Sequence, residues 1–414
     1  MAEFKKTPKQ REAAALLRSE ARHILLYGGG RSGKTFLFMY YMVLRALKTK
    51  SRHLALRRYF AHVKRAIWLD TLPTVIDITC PGIISPSAWN KSDYFLTFPN
   101  GSEIWMGGLD DKERADKILG TEFSTILFNE TSEIGLPSVE TALSRLAEKS
   151  GLINRAYYDE NPPHKMHWTH RQFIEKVNPE DKTPLANPEL YASMLMNPID
   201  NIVNIDPAYL KLLEGLSKRK RERFLLGLWQ DDDDRALWKY DDIMRTVEEF
   251  DYGRIVVAID PAVTNKDESD DTGIIVAGKL GNQFHVLADL SGKYSPKEWA
   301  NISVKAYFDW HADRIIGEVN NGGDMIESTI RQVNSSVSYK EVRATRGKVL
   351  RAEPIAALYE QHRGYHHDTF FELEDQMTTP LDELENDDRI DAMVWAATEL
   401  MLGEEGHGSF FVDL

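Results

Sequence analysis

Residues Gly28-Gly29-Gly30-Arg31-Ser32-Gly33-Lys34-Thr35 follow directly on the apolar run Ile24-Leu25-Leu26-Tyr27. Their spacing is G-x-x-x-x-G-K-[ST], the pattern of a loop that cradles phosphates. Glycines let successive backbone N–H groups turn onto phosphate oxygens. Lys34 can reach the β- and γ-phosphates, and the Thr35 hydroxyl can ligate Mg²⁺. A helical pattern from Lys34 to Leu47 aims its positive end at the same anion. The expected ligand is therefore a nucleoside triphosphate with Mg²⁺; the acidic strand at 124–131 points to an ATPase, and hence to ATP.

Such a site needs an acid to activate water. Ser124-Thr-Ile-Leu-Phe-Asn-Glu-Thr131 is an apolar strand ending in Asn129-Glu130. In phosphate-loop ATPases this strand is expected beside the loop strand and usually ends in Asp-Glu. The Asp then holds Mg²⁺ through water and the Glu polarises the attacking water. Glu130 takes the second role. Asn129, a neutral amide, can still enter the metal's water shell but lacks the charge. Arg31, inside the loop, can approach the γ-phosphate. Arg145, in Thr141-Ala-Leu-Ser-Arg-Leu146, is either an arginine finger offered to a neighbouring subunit or a surface residue of an amphipathic helix. Gln10, one helix before the first strand, is a candidate hydrogen-bonding partner of adenine.

A second set of acids lies in the other half. Asp260 ends the strand Val256-Val-Ala-Ile-Asp, and Glu318 ends Ile315-Ile-Gly-Glu. Asp388 and Asp391 stand three apart at a helix start, on one face. Carboxylates brought together from strand ends and a helix start can hold two divalent ions for in-line phosphodiester hydrolysis. Hard oxygen ligands suit Mg²⁺ or Mn²⁺. Asp271 and Asp324 are weaker candidates. Asp231–Asp234 reads as a solvated linker rather than a metal site.

The elements that position these groups follow from periodicity. The first half alternates apolar strands (23–27, 53–57, 125–128, 155–159) with helical patterns, which predicts a parallel α/β sheet. Asn100-Gly101 closes a hairpin between 94–98 and 103–106. Residues 206–223 are helical and basic. From Gly253 three strands (254–260, 273–279, 283–289) form a meander with Gly281-Asn282 at its second turn. Strand–helix alternation follows, with strands at 314–318 and 339–344 and helices at 296–311, 323–333, 348–362 and 388–400. This is the order of an RNase H-like mixed sheet. The expected domains are 1–250, including a lid and linker at about 205–250, and 251–414.

Bulk properties fit two soluble domains. The chain has 414 residues, 42% hydrophobic and 28% charged, and that length exceeds one ordinary core. Its net charge of −13 argues against a surface that coats nucleic acid everywhere, though not against local basic patches. The single Cys80 forms no internal disulfide and suits a reducing compartment. No signal peptide or membrane span is evident.

Taken together, these residues resemble the large terminase subunit of tailed bacteriophages. The resemblance covers nearly the whole chain. Asp159-Glu-Asn-Pro-Pro163 resembles the family's coupling motif, with Asn161 as the matching residue. Arg351-Ala-Glu-Pro-Ile-Ala-Ala-Leu-Tyr359, Leu373-Glu-Asp-Gln-Met377 and Asp388-Arg-Ile-Asp-Ala-Met-Val-Trp395 resemble the nuclease half. Gln10 matches the adenine-reading glutamine and Arg145 the trans-acting finger of some members. Asp260, Glu318 and Asp388 match the nuclease acids, and the Asp388/Asp391 pair also resembles Holliday-junction resolvases. Asn129 departs from the family's usual Asp.

The resemblance implies an ATP-driven motor that moves viral double-stranded DNA into a procapsid and cuts it. It implies a homo-oligomeric ring, five-membered, docked transiently on the portal protein in the host cytoplasm. A small terminase subunit would select the genome. Basic candidates for DNA contact are Lys218–Arg221, Arg343, Arg346, Lys348 and Arg351. A cellular DNA-repair or restriction ATPase-nuclease is the alternative, but it would need helicase motifs or a recognition domain for which the chain has no room. A non-catalytic assembly protein with a relic loop is opposed by intact Lys34, Thr35 and Glu130.

Overall fold

Two sheets organise the chain, each sandwiched between apolar layers of its own. The computed structural model describes residues 5–109, 120–216, 218–261, 271–319, 323–344, 347–384 and 386–402. The chain divides into two units, Met1–Asp231 and Asp232–Leu414.

The first unit holds β1 (His23–Tyr27), β2 (Arg52–Arg57), β3 (Trp89–Asn90), β4 (Phe95–Thr97), β5 (Glu103–Gly108), β6 (Thr125–Asn129), β7 (Arg155–Glu160) and β8 (Tyr191–Leu195). Their order is β3-β4-β5-β2-β6-β7-β1-β8. From β5 to β8 every neighbour is parallel, while β3 and β4 extend the edge antiparallel. The period of two along β1 explains why both faces are covered. Ile24 and Leu26 join one core with Ala13 of α1 (Pro8–Leu16) and Leu37, Phe38 and Met42 of α2 (Lys34–Lys48), and Leu25 joins the opposite core with Leu54 and Phe128.

Two sequence expectations change here. The acidic strand β6 does not lie beside the loop strand β1, because β7 stands between them. The strand β8, not anticipated, pairs with β1 along its whole length. The Asn100-Gly101 hairpin forms as expected, with Gly101 at φ 79°. Its second strand, β5, also pairs with β2, so it belongs to the main sheet.

The second unit holds β9 (Met244–Arg245), β10 (Arg254–Asp260), β11 (Gly273–Leu280), β12 (Gln283–Asp289), β13 (Arg314–Glu318), β14 (Tyr339–Val342) and β15 (Gly364–His366). The order is β14-β13-β10-β11-β12-β15-β9. β10, β11 and β12 form the antiparallel meander, and the outer pairs are parallel, so the sheet is mixed as expected. One face packs on α3 (Lys348–Glu360) and α4 (Asp388–Ala397) through Ala352, Ile355, Ile390 and Met393. The other packs on helices Pro296–Asp309 and Gly323–Val333 through Trp299, Val304, Ile326 and Ile330.

The division between the units precedes the expected boundary at residue 250. Trp238 and Ile243 are buried in the second core, and β9 pairs with β15. The acidic run joins this segment to its surroundings: Asp232 accepts from the Tyr240 N–H at 3.1 Å, and Asp233 pairs with Arg235 at 2.9 Å. No helix among the described residues is long and apolar enough to cross a membrane.

Candidate active sites

The phosphate loop springs from the C-terminal end of β1 and turns through backbone conformations that glycine favours. Gly28 has φ 137° and Gly33 φ 87°, and Arg31 also takes a left-handed φ of 55°. A Cβ on Gly28 would stand 2.2 Å from the Met196 carbonyl oxygen, and one on Gly29 would stand 2.1 Å from that of Phe224. Lys34 is buried and donates to the Gly28 carbonyl at 2.9 Å, the Gly29 carbonyl at 2.8 Å and the Ser32 hydroxyl at 3.1 Å. Burial lowers its pKa, and Glu130, Asp159 and Glu160 oppose that shift.

Other residues frame the loop. Gln10 closes a capping box with Thr7, its Oε1 accepting from the Thr7 N–H at 3.0 Å. Its Nε2 faces the loop, 3.0 Å from where a Cβ on Gly33 would lie. Asn197 Oδ1 accepts from the Gly29 N–H at 3.0 Å, the Phe224 carbonyl accepts from the Gly30 N–H at 3.2 Å, and Asn201 donates to the Arg31 carbonyl at 2.9 Å. Arg31 is exposed and sits 5.2 Å from the Tyr209 ring centre. Asn197, Asn201 and Phe224 are distant in sequence and carry no local motif, so sequence reading missed them.

β6 and β7 end side by side, with Asn129 opposite Asp159. Asn129 Nδ2 donates to Asp159 Oδ1 at 2.7 Å and lies 3.4 Å from Thr35 Oγ1. The Glu130 N–H also donates to Asp159 Oδ1, at 2.9 Å. Glu130 has φ 52°, a conformation seldom adopted away from glycine, and such strain clusters at working sites. Burial, then the Asp159 charge, pushes its carboxyl up to about 7, against the pull of Arg57. Glu160 is fully buried, its carboxylate oxygens have no hydrogen-bond partner among the described residues, and burial holds its carboxyl well above the usual range. Asn161 follows directly, partly exposed.

Arg145 stands apart from this cluster. Its carbonyl accepts from the Phe123 N–H at 2.8 Å, just before β6 begins. Its backbone thus lies at the far end of β6 from Glu130, about 20 Å away along the strand.

In the second unit a glycine sets the geometry. Gly273 pairs with Asp260 across β10 and β11. A Cβ there would meet the Asp388 carbonyl oxygen at 2.0 Å, so only glycine lets the start of α4 rest on the sheet. That approach brings Asp391 to the strand ends. Asp260, Glu318 and Asp391 offer carboxylate oxygens all within 4.8 Å of one another. Asp388 is outside this trio, although its charge is felt at Asp260. Burial, then Asp391, Glu318 and Asp388, holds the Asp260 carboxyl well above its ordinary range.

Two cations enter the trio from α3. Lys348 pairs with Asp391 at 2.7 Å and with Asp387. Arg351 pairs with Glu318 at 3.3 Å and Asp391 at 3.5 Å and lies over the Trp395 ring, while Trp395 Nε1 donates to Glu318 at 2.6 Å. Lys348 and Arg351, candidates for DNA contact, are thus engaged with the trio itself. Asp271 is engaged by Arg389, which also pairs with Asp289 at 2.8 Å and Glu372 at 2.7 Å and anchors α4. The Asp324 side chain and Arg346 lie outside the described residues. Arg343 pairs with Glu341 at 3.4 Å, and Lys218, Lys220 and Arg221 are exposed.

Both donor sets fit the groups expected of them. Three clustered carboxylates, two of them nearly buried, match a hard divalent cation and repel one another without one. The loop holds a buried ammonium whose partners are its own glycine carbonyls and the Ser32 hydroxyl, a cation free of any carboxylate bond and so available to phosphate oxygens.

The family model described as "Phage terminase large subunit" matches residues 20–198, and that described as "Terminase RNaseH-like domain" matches residues 257–400. Together they span more than half of the chain. No curated protein matches it. Among solved structures, the large terminase of a thermophilic bacteriophage is 14% identical, with 95% of this chain and 99% of that chain covered and a TM-score of 0.49. The HK97 bacteriophage large terminase is 9% identical, with 95% of each chain covered and a TM-score of 0.42. The human cytomegalovirus terminase nuclease domain is 16% identical, with 41% of this chain and 94% of that chain covered and a TM-score of 0.32. With the two family models falling on the two sites in turn, the chain belongs to the phage large terminases, DNA-packaging motors that join an ATPase to an RNase H-like nuclease.

Proposed function

We propose that residues 1–231 hydrolyse ATP at the phosphate loop and that residues 232–414 cut packaged DNA at the carboxylate trio. The observation that carries this reading is the convergence of Asp260, Glu318 and Asp391, from two strand ends and a helix start, within 4.8 Å. Asp388, one turn before Asp391, supplements their charge.

At the loop, Lys34 would exchange the Gly28 and Gly29 carbonyls for phosphate oxygens, and the N–H groups of residues 31–35, beyond those held by Glu160, Asn197 and Phe224, would cradle them. Thr35 is a ligand for Mg²⁺, and Asn129 stands next to it. Glu130, whose backbone is held by Asp159 at the end of β6, would take a proton from the attacking water. Arg31 and Gln10 read the γ-phosphate and adenine, and Asn161 couples the site to movement. Arg145, at the far end of β6, serves a neighbouring subunit. In the nuclease, Mg²⁺ or Mn²⁺ would supply the charge that stabilises the attacking and leaving oxygens of the phosphodiester. Lys348 and Arg351 hold the acids together until that charge arrives.

In this reading the protein works as a ring of subunits, five in number, on the portal protein of a procapsid in the host cytoplasm. A small terminase subunit delivers the viral double-stranded DNA. Family membership supports this assignment. The test is plasmid nicking across a Mn²⁺ series, with ATP turnover by the same preparation. Asp260→Asn should lose cutting and keep turnover, and Glu318→Gln and Asp391→Asn should behave alike. Wild-type cutting by Asp260→Asn at limiting Mn²⁺ would refute the site.

A further inference from the structure

The motor site lacks a charge where its acidic strand ends, and the adjacent strand holds a carboxylate at that place. Asn129 closes β6 as a neutral amide. Opposite it in parallel register stands Asp159, and on its other side Asp159 faces Leu26 of the loop strand. Because β7 lies between β6 and β1, Asp159 is one strand closer to the phosphate loop than Asn129 is. The Asn129 amide spans the gap, 2.7 Å from Asp159 Oδ1 and 3.4 Å from Thr35 Oγ1.

The two oxygens of Asp159 are not equivalent. Oδ1 accepts from Asn129 Nδ2 and from the Glu130 N–H. Oδ2 is buried and has no hydrogen-bond partner among the described residues, and neither has Asn129 Oδ1. The Asp159 side chain is 1% exposed. A carboxylate held only for structure would satisfy both oxygens, because an unmet buried acceptor is costly. An unmet carboxylate oxygen on Asp159, whose other oxygen is bonded to the amide that reaches Thr35, suits the water shell of a cation.

We propose that Asp159 supplies the carboxylate of the magnesium shell in the ATPase site, with Asn129 as the neutral bridge that aligns it with Thr35. The carboxylate thus stands on β7 and the amide on β6, joined by a hydrogen bond. The proposal rests on the reading of this loop as an ATP site. Asp159 also holds the Glu130 backbone, so one side chain links the metal shell to the group that activates water.

The probe is Mn²⁺ binding to the full chain in the presence of ATPγS, followed by electron paramagnetic resonance. Asp159→Asn should weaken Mn²⁺ roughly 10–100-fold, the usual loss on removing an outer partner of a metal site. Its metal-free ATPγS affinity should stay near wild type. The exchanged pair Asn129→Asp with Asp159→Asn keeps one acid, one amide and the bond between them, and should regain most of the Mn²⁺ affinity. Wild-type Mn²⁺ affinity in Asp159→Asn would overturn the proposal and leave the ATP site standing. So would an exchanged pair that melts like wild type but binds Mn²⁺ no better than a chain lacking the acid. If the wild-type chain bound no Mn²⁺ with ATPγS, the ATP reading and the proposal would fall together.

Discussion

Replacing Gly273 by alanine should disable DNA cutting and leave ATP hydrolysis intact. A Cβ there would lie 2.0 Å from the Asp388 carbonyl oxygen, 2.6 Å from its carbonyl carbon and 3.1 Å from Ala392 Cβ. The two nearest atoms are backbone, so no change of rotamer relieves the clash. The start of α4 must lift by about 1 Å or more to reach ordinary contact. Overpacking of this kind costs about 1–3 kcal/mol, which lowers the melting temperature of a unit this size by roughly 2–12 °C. Catalysis suffers more. Asp391 rides on α4 while Asp260 and Glu318 stay with the sheet, and a 1 Å misplacement costs on the order of 100-fold in rate. Plasmid nicking at saturating Mn²⁺, a thermal melt and ATP turnover on one preparation read the three effects. Wild-type nicking with an unchanged melting temperature would show that α4 does not set the geometry of the trio.

Three further outcomes follow from the same geometry. Lys34→Ala should abolish ATP hydrolysis, read as phosphate release, and spare metal-dependent nicking, because Lys34 is the buried cation of the loop. If Arg145 acts in trans, ATP turnover should rise with protein concentration, and mixing Arg145→Ala with Glu130→Ala chains should restore part of it; no rescue in mixtures shown to co-assemble would make Arg145 a surface residue. Glu374 gives a pH signature: burial alone would raise its carboxyl, but Arg245 at 2.5 Å and His366 at 3.0 Å bring it down to about 2 from an ordinary 4.5. The folded state therefore favours its charged form, which contributes about 3 kcal/mol above pH 4.5 and loses it as pH falls from 4.5 towards 2. Melting curves of wild type and Glu374→Gln over that window should converge at low pH, and parallel curves would contradict the ion-pair account.

Much of this was legible in the sequence where the signal is local. The phosphate loop, the strand ending in Asn129-Glu130, the meander and its glycine turns all follow from spacing or a period of two. Of the acids of the second half, Asp260, Glu318 and Asp391 meet as strand ends and a helix start suggest, while Asp388, which the resemblance favoured, lies outside the trio. What the sequence hid depends on partners far along the chain. β9 and β15, of two and three residues, gain strand character only by pairing with each other and with β12. The place of β7 between β6 and β1 is a topological fact, and with it the role of Asp159 beside Asn129. Gly273 looks like any strand-start glycine until α4 lies on it. Nothing local ties Lys348 and Arg351 to the acids, because their carboxylate partners are 40 residues or more away on α4, or on β13. The compact units divide at 231 rather than near 250 because Trp238 and Ile243, in a segment rich in charge, are buried in the second core without a periodic signature.

The most direct test of the central claim, a motor and a nuclease as separable sites on one chain, is DNA packaging into purified procapsids, measured as DNA protected from added nuclease. Wild-type chain should protect linear DNA only when ATP is supplied. Lys34→Ala should protect none, and Asp260→Asn should protect linear DNA as well as wild type while leaving circular or concatemeric DNA uncut. Protection by Lys34→Ala, or its loss in an Asp260→Asn chain that still folds and hydrolyses ATP, would contradict the account.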